Sequence, residues 1–234
     1  MTQHINFSRS DAELTWFQRR QTLQAAAAWV ALGGWSTSQA QQRSNIVELV
    51  GDALINGNRL APQQTVQTGD VLETGPGSRL VFVIGNSSFH VRQNSRLAVE
   101  RGNTLNAVSL LRLLTGAVVS VWGKGSDRRI TTPTLTAGIR GTGVYTEIFA
   151  KQDNRSYFCN CYGTVDLKTQ SDSRTLVADY HDAVWADKRD GEVVLSPARA
   201  INHTDEELEF LARLVDQRTA WQISGTKGAK DGYY

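Results

Sequence analysis

The chain has 234 residues, of which 40% are hydrophobic, and its formal net charge at neutral pH is only +2. This length can bury one substantial core and a small appendage, so we predict one main domain. Binding to the phosphates of a nucleic acid needs a basic stripe, and no run of lysine and arginine supplies one. The composition therefore excludes nucleic acid as an expected partner.

The first 40 residues resemble an export signal. A polar stretch leads to Arg19-Arg20, an alanine-rich apolar run extends from Thr22 to Trp35, and Ser38 and Ala40 offer small residues at the cleavage positions. The paired arginines are typical of twin-arginine export, and the general secretory route is the alternative. Because the apolar run is shorter than the roughly 20 residues of a spanning helix, we predict a cleaved signal over residues 1–40, a periplasmic location and no transmembrane span. An amphipathic helix of a cytosolic protein is the competing interpretation.

From Ile46 to Val194, short extended runs alternate with turn residues, which is typical of an all-β chain. Asn56-Gly57 predicts a two-residue hairpin turn. The apolar run from Leu110 to Leu114 could form a helix, but Thr115-Gly116 follows it directly and the next residues again alternate as in a strand. We therefore predict β structure throughout this region.

Near the C-terminus the hydrophobic period changes to that of a helix. Thr204 and Glu207 have the spacing of a capping box. Leu208, Leu211 and Leu214 then lie on one helical face, which predicts an amphipathic helix over residues 205–219. Residues 224–234 have nothing to bury, so we predict a disordered tail.

The stretch from Ile130 to Glu147 is the most informative part of the sequence. Its β-branched start is ended by Pro133, an alternating strand follows, and glycines then allow a tight bend. Arg140 lies at this bend, where it either braces the turn through backbone carbonyls or meets an anionic ligand or partner. Arg140, Gly141 and Thr142 are therefore a candidate ligand or partner site, with a structural turn as the alternative.

This stretch resembles the signature of FecR-type domains, the β domain of the ferric citrate regulator and its relatives. Other motifs of that domain follow in the expected order: Val47–Gly51, Asn56-Gly57, Thr68–Ser78, Leu80–Ile84, Asn94–Leu97, Leu114–Val118 and Tyr162–Leu167. The resemblance covers residues 45–169 and departs at Gly85-Asn86-Ser87, where Asp-Gly-Ser is usual. It implies a β-roll or sandwich-like domain of many short strands, which we expect to be followed by an extension over residues 170–223 with strands and one helix.

FecR itself, as the resemblance implies, also has a cytosolic anti-sigma domain, a membrane helix and a C-terminal module that contacts an outer-membrane transporter. We expect this chain to lack those three parts, so no site residues of FecR are carried over. No nucleophile elbow, phosphate loop or dinucleotide fingerprint is present in the sequence. The resemblance therefore predicts a non-enzymatic protein with no catalytic residues.

One unusual cluster combines two cysteines and two histidines. In a strand, Cys159 and Cys161 share a face with Tyr157, while Tyr162 faces the other way. With His181 and His203 they could complete a four-ligand set that suits zinc or copper. His203 precedes a predicted helix, whose positive end favours the neutral imidazole that a metal requires. The alternatives are ordinary core packing without a cofactor, and a disulfide or redox role.

The sequence thus predicts an exported, soluble binding, scaffolding or sensory domain of the bacterial cell envelope with a protein partner there. A metal-binding or redox protein of the periplasm is the first alternative. An anti-sigma-type regulator whose first 40 residues bind a sigma factor is the second alternative.

Overall fold

The computed structural model describes residues 44–102, 107–125 and 128–227. The predicted export signal over residues 1–40 lies outside these ranges, as do residues 228–234 of the predicted tail. The described strands are β1 (Ile46–Val50), β2 (Ala53–Ile55), β3 (Asn58–Arg59), β4 (Val71–Thr74), β5 (Arg79–Ile84), β6 (Ser87–Val91), β7 (Arg96–Arg101), β8 (Val108–Trp122), β9 (Arg128–Thr131), β10 (Thr136–Ile139), β11 (Gly143–Phe149), β12 (Arg155–Lys168), β13 (Ser173–Ala178), β14 (Asp182–Arg189) and β15 (Glu192–Ala198). The described helices are α1 (Asp205–Leu214) and α2 (Ala220–Ser224).

The strands form two sheets that share their two longest members. The first sheet has the order β1-β5-β6-β8-β11-β12-β14-β15. The second has the order β3-β2-β4-β7-β8-β9-β10-β12-β13. Every pairing is antiparallel except β8 with β9. The prediction of an all-β fold with a C-terminal helix is confirmed, including the β assignment of residues 110–114.

Strands β8 and β12 pass from one sheet to the other at a glycine. Gly116 has φ +77° and Gly163 has φ +95°, a backbone region that favours glycine. A Cβ at Gly116 would lie 2.5 Å from the Cα of Ser95, and one at Gly163 would lie 2.8 Å from the Cβ of Thr142. The two long strands therefore bend where a side chain would be both strained and obstructed.

The main hydrophobic core lies between the sheets and is built from the alternating inward residues of both, as in other two-layer β domains. A second cluster covers the outer face of the first sheet, where α1 packs on β6 and β8. Leu208 and Leu211 of α1 are fully buried in this cluster. Ser88 of β6 donates a hydrogen bond of 2.8 Å to the carbonyl oxygen of Leu211. Helix α1 is thus fixed to the sheet by both apolar and polar contacts.

The C-terminal segment differs from its prediction in two respects. The capping box of Thr204 and Glu207 is present, but α1 ends at Leu214 instead of residue 219, since Asp216 adopts a left-handed φ of +54°. A second helix, α2, then begins after Thr219, which forms a capping box of its own. The predicted disordered tail is wrong for residues 224–227, because they end α2 and place Lys227 against the buried Asp205.

Within the part of the chain that the structure describes, no helix has both the length and the apolar character needed to cross a membrane.

Candidate metal centre

A β-bulge in strand β12 sets the directions of the two cysteine side chains. The register between β11 and β12 shifts at Gly143 and Val144, which makes Cys161 the extra residue on β12. Cys159 and Cys161 share one face, as predicted, and both are buried in the second cluster. The prediction that Tyr162 faces the other way is wrong. Tyr162 lies in the same cluster, because the inserted residue changes the alternation at this point.

The two histidines reach the same place from separate turns. His181 lies between β13 and β14 with φ +31°, and its backbone N–H donates to the carbonyl oxygen of Cys161 at 2.9 Å. His203 follows Asn202, which has φ +59°, and immediately precedes the N-cap residue Thr204. Such left-handed conformations cost on the order of 1–3 kcal/mol each and concentrate at functional sites.

The four side chains converge on one point. Their donor atoms are Cys159 Sγ, Cys161 Sγ, His181 Nδ1 and His203 Nε2, which all lie within 4.8 Å of one another. The two sulfurs are 3.8 Å apart and the two ring nitrogens 3.1 Å apart. Cys159 Sγ is 3.6 Å from His181 Nδ1, and Cys161 Sγ is 3.4 Å from His203 Nε2.

These distances match the edges of a tetrahedron around zinc. Bonds of about 2.3 Å to sulfur and about 2.05 Å to nitrogen give tetrahedral edges of about 3.8 Å between sulfurs, about 3.3 Å between nitrogens and about 3.5 Å between sulfur and nitrogen. Four of the six donor-to-donor distances agree with these lengths to about 0.2 Å, and the other two, both between sulfur and nitrogen, are no longer than 4.8 Å. The structure therefore brings all four predicted ligands together, and small side-chain shifts would complete a tetrahedron around an ion of this size.

The outer ring nitrogen of each histidine has a partner that fixes its tautomer. His181 Nε2 lies 3.1 Å from Asp205 Oδ1, and His203 Nδ1 lies 2.6 Å from the carbonyl oxygen of Ile201. If both outer nitrogens donate, the inner nitrogens present lone pairs to each other at 3.1 Å. Such an arrangement is repulsive unless a proton or a cation lies between them. Carboxylate and carbonyl partners of this kind orient the histidine ligands of metal sites.

Asp205 connects the histidines to the C-terminal helices. It is only 2% exposed. Because it is the first residue of α1, the positive end of the helix dipole stabilises its negative charge. The Tyr180 hydroxyl donates to Asp205 Oδ2 at 3.2 Å, and Lys227 Nζ lies 2.6 Å from the same oxygen. Burial raises the pKa of Asp205, but Lys227 and His181 outweigh burial and hold the pKa below its usual value.

The protonation of the cluster depends on the two sulfurs. Burial by itself raises the pKa of the Cys159 thiol, but hydrogen bonds with Cys161, His181 and His203 hold that pKa well below its usual range. Burial and the Cys159 sulfur raise the pKa of Cys161. Burial lowers the pKa of His203, but the neighbouring Cys159 sulfur outweighs burial and raises this pKa above its usual value. In the absence of a metal ion, the cluster therefore favours protonated His203 more than the sequence predicted. A divalent cation would take the place of the shared protons.

The centre is closed to solvent. Both cysteines are 0% exposed and His203 is 3% exposed. Trp221 of α2 stacks on His181 at 5.6 Å between ring centroids, and Tyr145 stacks on His203 at 4.8 Å. Four buried protein ligands leave no open coordination position, which is typical of structural sites. Both cysteines are free thiols in this structure, so the disulfide alternative is not realised here.

The second predicted site, Arg140 to Thr142, lies apart from this cluster. Arg140 Nη2 is 2.5 Å from Asp166 Oδ2, so its partner is a carboxylate and not the backbone carbonyls that the turn interpretation favoured. Gly141 has φ +73°, consistent with the predicted bend. Thr142 is fully buried and donates to Asn160 Oδ1 at 2.8 Å, which gives it a structural role.

Sequence reasoning missed the outer partners of the histidines. Asp205 was part of the predicted first helical turn, and its position two residues after His203 was the available signal. Nothing local connects Tyr180 or Lys227 with this carboxylate. Their contacts arise only because the turn before β14 and the end of α2 meet at the start of α1.

Comparison with known proteins agrees with this architecture. Residues 70–166 match the family described as FecR protein, a range that extends from the residue before β4 into β12. The match lies within the predicted range of 45–169 and includes both Arg140 and the two cysteines.

Two similar crystal structures show a "putative anti-sigma factor" from Parabacteroides distasonis ATCC 8503. The sequence identities are 8% and 10%, and both TM-scores are 0.44. The alignments cover 54% and 56% of this chain and 59% and 60% of the Parabacteroides chains, which are thus spanned for less than two thirds of their length. No curated protein matches the chain.

Proposed function

We propose that this protein is an exported, non-enzymatic FecR-type module of the bacterial cell envelope that binds a protein partner in signalling or regulation. The FecR match supports the regulatory class. The signal-like first 40 residues support export and a periplasmic location. The Arg19-Arg20 pair favours the twin-arginine route, which carries proteins that are already folded.

We further propose that the module holds one zinc ion through Cys159, Cys161, His181 and His203. The observation that carries this proposal is the convergence of two sulfurs and two nitrogens within 4.8 Å, with four of the six donor-to-donor distances close to tetrahedral values. Charge balance agrees, because two thiolates neutralise a divalent ion while the Asp205 carboxylate is balanced by Lys227.

The ion would have a structural task. Its ligands come from the middle of β12, from the turn before β14 and from the loop that leads into α1. A zinc ion bound here would join the sheet to the C-terminal helices, and its binding free energy would add to the stability of that junction. Copper(I) accepts the same donors and is the competing ion.

The first test is elemental analysis of the full chain, expressed with its own leader and purified from the periplasm. We expect about one equivalent of zinc per chain and none in the Cys159→Ser, Cys161→Ser double variant. His90→Gln is the matched histidine control, since His90 bonds Glu207 and not the cluster, and it should retain its metal. A protein without zinc after growth in zinc-supplemented medium would overturn the metal proposal, and copper in its place would overturn the choice of ion.

Export is tested by N-terminal sequencing of the same material. We expect a mature N-terminus near residue 41 in the periplasmic fraction. Accumulation of protein with an intact Met1 in the cytosol would contradict the proposed export. Replacement of Arg19-Arg20 by Lys-Lys should abolish export through the twin-arginine route, whereas unchanged secretion would assign the general secretory route.

A further inference from the structure

A basic cleft lies on the second sheet and is separate from the metal centre. It has a volume of about 650 Å³ and is formed where the loop after β8 meets strands β9, β10 and β12. Four cations line it: Lys124, Arg128, Arg129 and Arg140. The FecR-type signature thus forms one wall of this cleft, since β10 ends at Ile139 directly before Arg140.

The register of the sheet creates the depression. Gly138 of β10 is paired with Arg129 of β9 on one side and with Asp166 of β12 on the other. Cross-strand neighbours present their side chains on the same face of a sheet. Because Gly138 has no side chain, bare backbone is exposed between a cation and a carboxylate.

The charge in the cleft is unbalanced. Asp166 is the one carboxylate among its described lining residues, and it is engaged by Arg140 at 2.5 Å. Hydrogen bonds from Thr175 and Arg140 lower the pKa of Asp166, so it is ionised at neutral pH. Lys124 and Arg129 form no ion pair with any described residue. Within the described ranges, the cleft therefore carries three cations beyond its single ion pair.

Arg128 adds a fixed, buried charge beside the cleft, although on β9 its side chain lies on the opposite face from that of Arg129. Its side chain donates to Asn86 Oδ1 at 2.7 Å, to the carbonyl oxygen of Gly123 at 2.7 Å and to Ser87 Oγ at 3.1 Å. All three acceptors are neutral, and Arg128 is only 8% exposed. Among the described residues no carboxylate pairs with Arg128, so its charge adds to the positive potential of the cleft.

We propose that this cleft docks an acidic segment of the protein partner, with carboxylates pairing to Arg129 and Lys124. A peptide fits better than a small anion, because the lining cations come from separate elements, the loop after β8, strand β9 and the end of β10, and the Arg140 side chain is 69% exposed. Complementary charge of this kind provides specificity and fast association. The inference deepens the proposed partner-binding function and does not depend on the metal centre.

The experiment measures fluorescence anisotropy of a labelled Asp-Glu-Asp-Glu-Asp peptide with the full chain at low ionic strength. The test variant is Lys124→Gln with Arg129→Gln. The control is Arg59→Gln with Arg79→Gln, which removes the same charge at exposed positions on β3 and β5. We expect the test variant to bind at least about tenfold more weakly and the control to change less than about twofold.

Three results would overturn the proposal. One is no binding of the acidic peptide to the unaltered protein, and another is an equal loss in both double variants, which would indicate unspecific attraction. The third concerns tricarballylate, a small tricarboxylate. If it binds more tightly than the peptide and its binding is also weakened by the Arg129 substitution, the cleft is a site for small carboxylates. Zinc content is measured on the same samples, so a failure of this proposal is distinguishable from a failure of the metal centre. Thermal unfolding confirms that each variant is folded.

Discussion

At the residue scale, Asp205 is the group that connects the proposed metal centre with the helices. It touches His181 but would not touch the ion, so it is a positioning residue. Its carboxylate fixes the His181 tautomer and raises the basicity of the ligating nitrogen.

Asp205→Asn is expected to weaken zinc affinity about 10- to 100-fold while the protein stays folded, because the amide no longer provides the charge that orients the ligand. Competition with a chromophoric chelator measures the affinity. Glu206→Gln is the control, since it removes the same charge at an exposed position one residue further along α1. If Asp205→Asn and the control have equal zinc affinities, Asp205 stabilises the N-terminus of α1 but does not position His181 for the ion.

At the scale of elements, the two long strands β8 and β12 each bend at a glycine. Strand β12 bends at Gly163, where it leaves β11 and joins β10 and β13. The bend also places the Cys-x-Cys segment immediately before the change of sheet.

Gly163→Ala should destabilise the protein by about 1–2 kcal/mol for the left-handed backbone and by a further 1–3 kcal/mol or so for crowding against Thr142. Gly191→Ala separates the two effects. Gly191 has a similar φ of +86°, but a Cβ there would meet nothing within 4 Å. Urea denaturation of both variants gives the difference in the free energy of unfolding. Equal losses of unfolding free energy in the two variants would mean that the sheet accommodates the new Cβ near Thr142 without further destabilisation.

Helix α1 is the element that the proposed ion holds most directly. In the Cys159→Ser, Cys161→Ser variant, we expect amides of α1 to exchange hydrogen about tenfold faster or more, because the helix keeps its apolar contacts but loses the coordination next to its N-cap. Strands β5 to β7 should exchange as before. Hydrogen exchange followed by mass spectrometry makes the comparison, and uniform acceleration across the chain would point to global destabilisation instead.

At the scale of the whole molecule, one ion would join segments that are distant in sequence. Removal of zinc by a chelator during unfolding and refolding is expected to lower Tm on the order of 10 °C, since structural sites contribute several kcal/mol and each kcal/mol shifts Tm by about 2–4 °C at this size. Restoring zinc should recover Tm, and magnesium should not. An unchanged Tm after verified zinc removal would contradict a structural task for the ion.

The sequence by itself determined the fold class and nominated the candidate ligand set. Alternation of apolar residues reports the face of a strand, turn residues report where it ends, and the spacing of Thr204 and Glu207 reports a helix start. Cysteine and histidine side chains are common metal ligands in any fold, so the four donors could be nominated before their positions were known.

The tertiary structure alone decided how these residues meet. The bulge at Cys161 put Tyr162 on the same side of the sheet as the two cysteines, and the turn at His181 and the end of α2 brought Asp205 its partners. The basic cleft depends in the same way on the pairing of Gly138 with Arg129 and Asp166. Local patterns contain the period of each element, but long-range pairing is set by packing of the whole chain, and one inserted residue is enough to reverse a strand's faces.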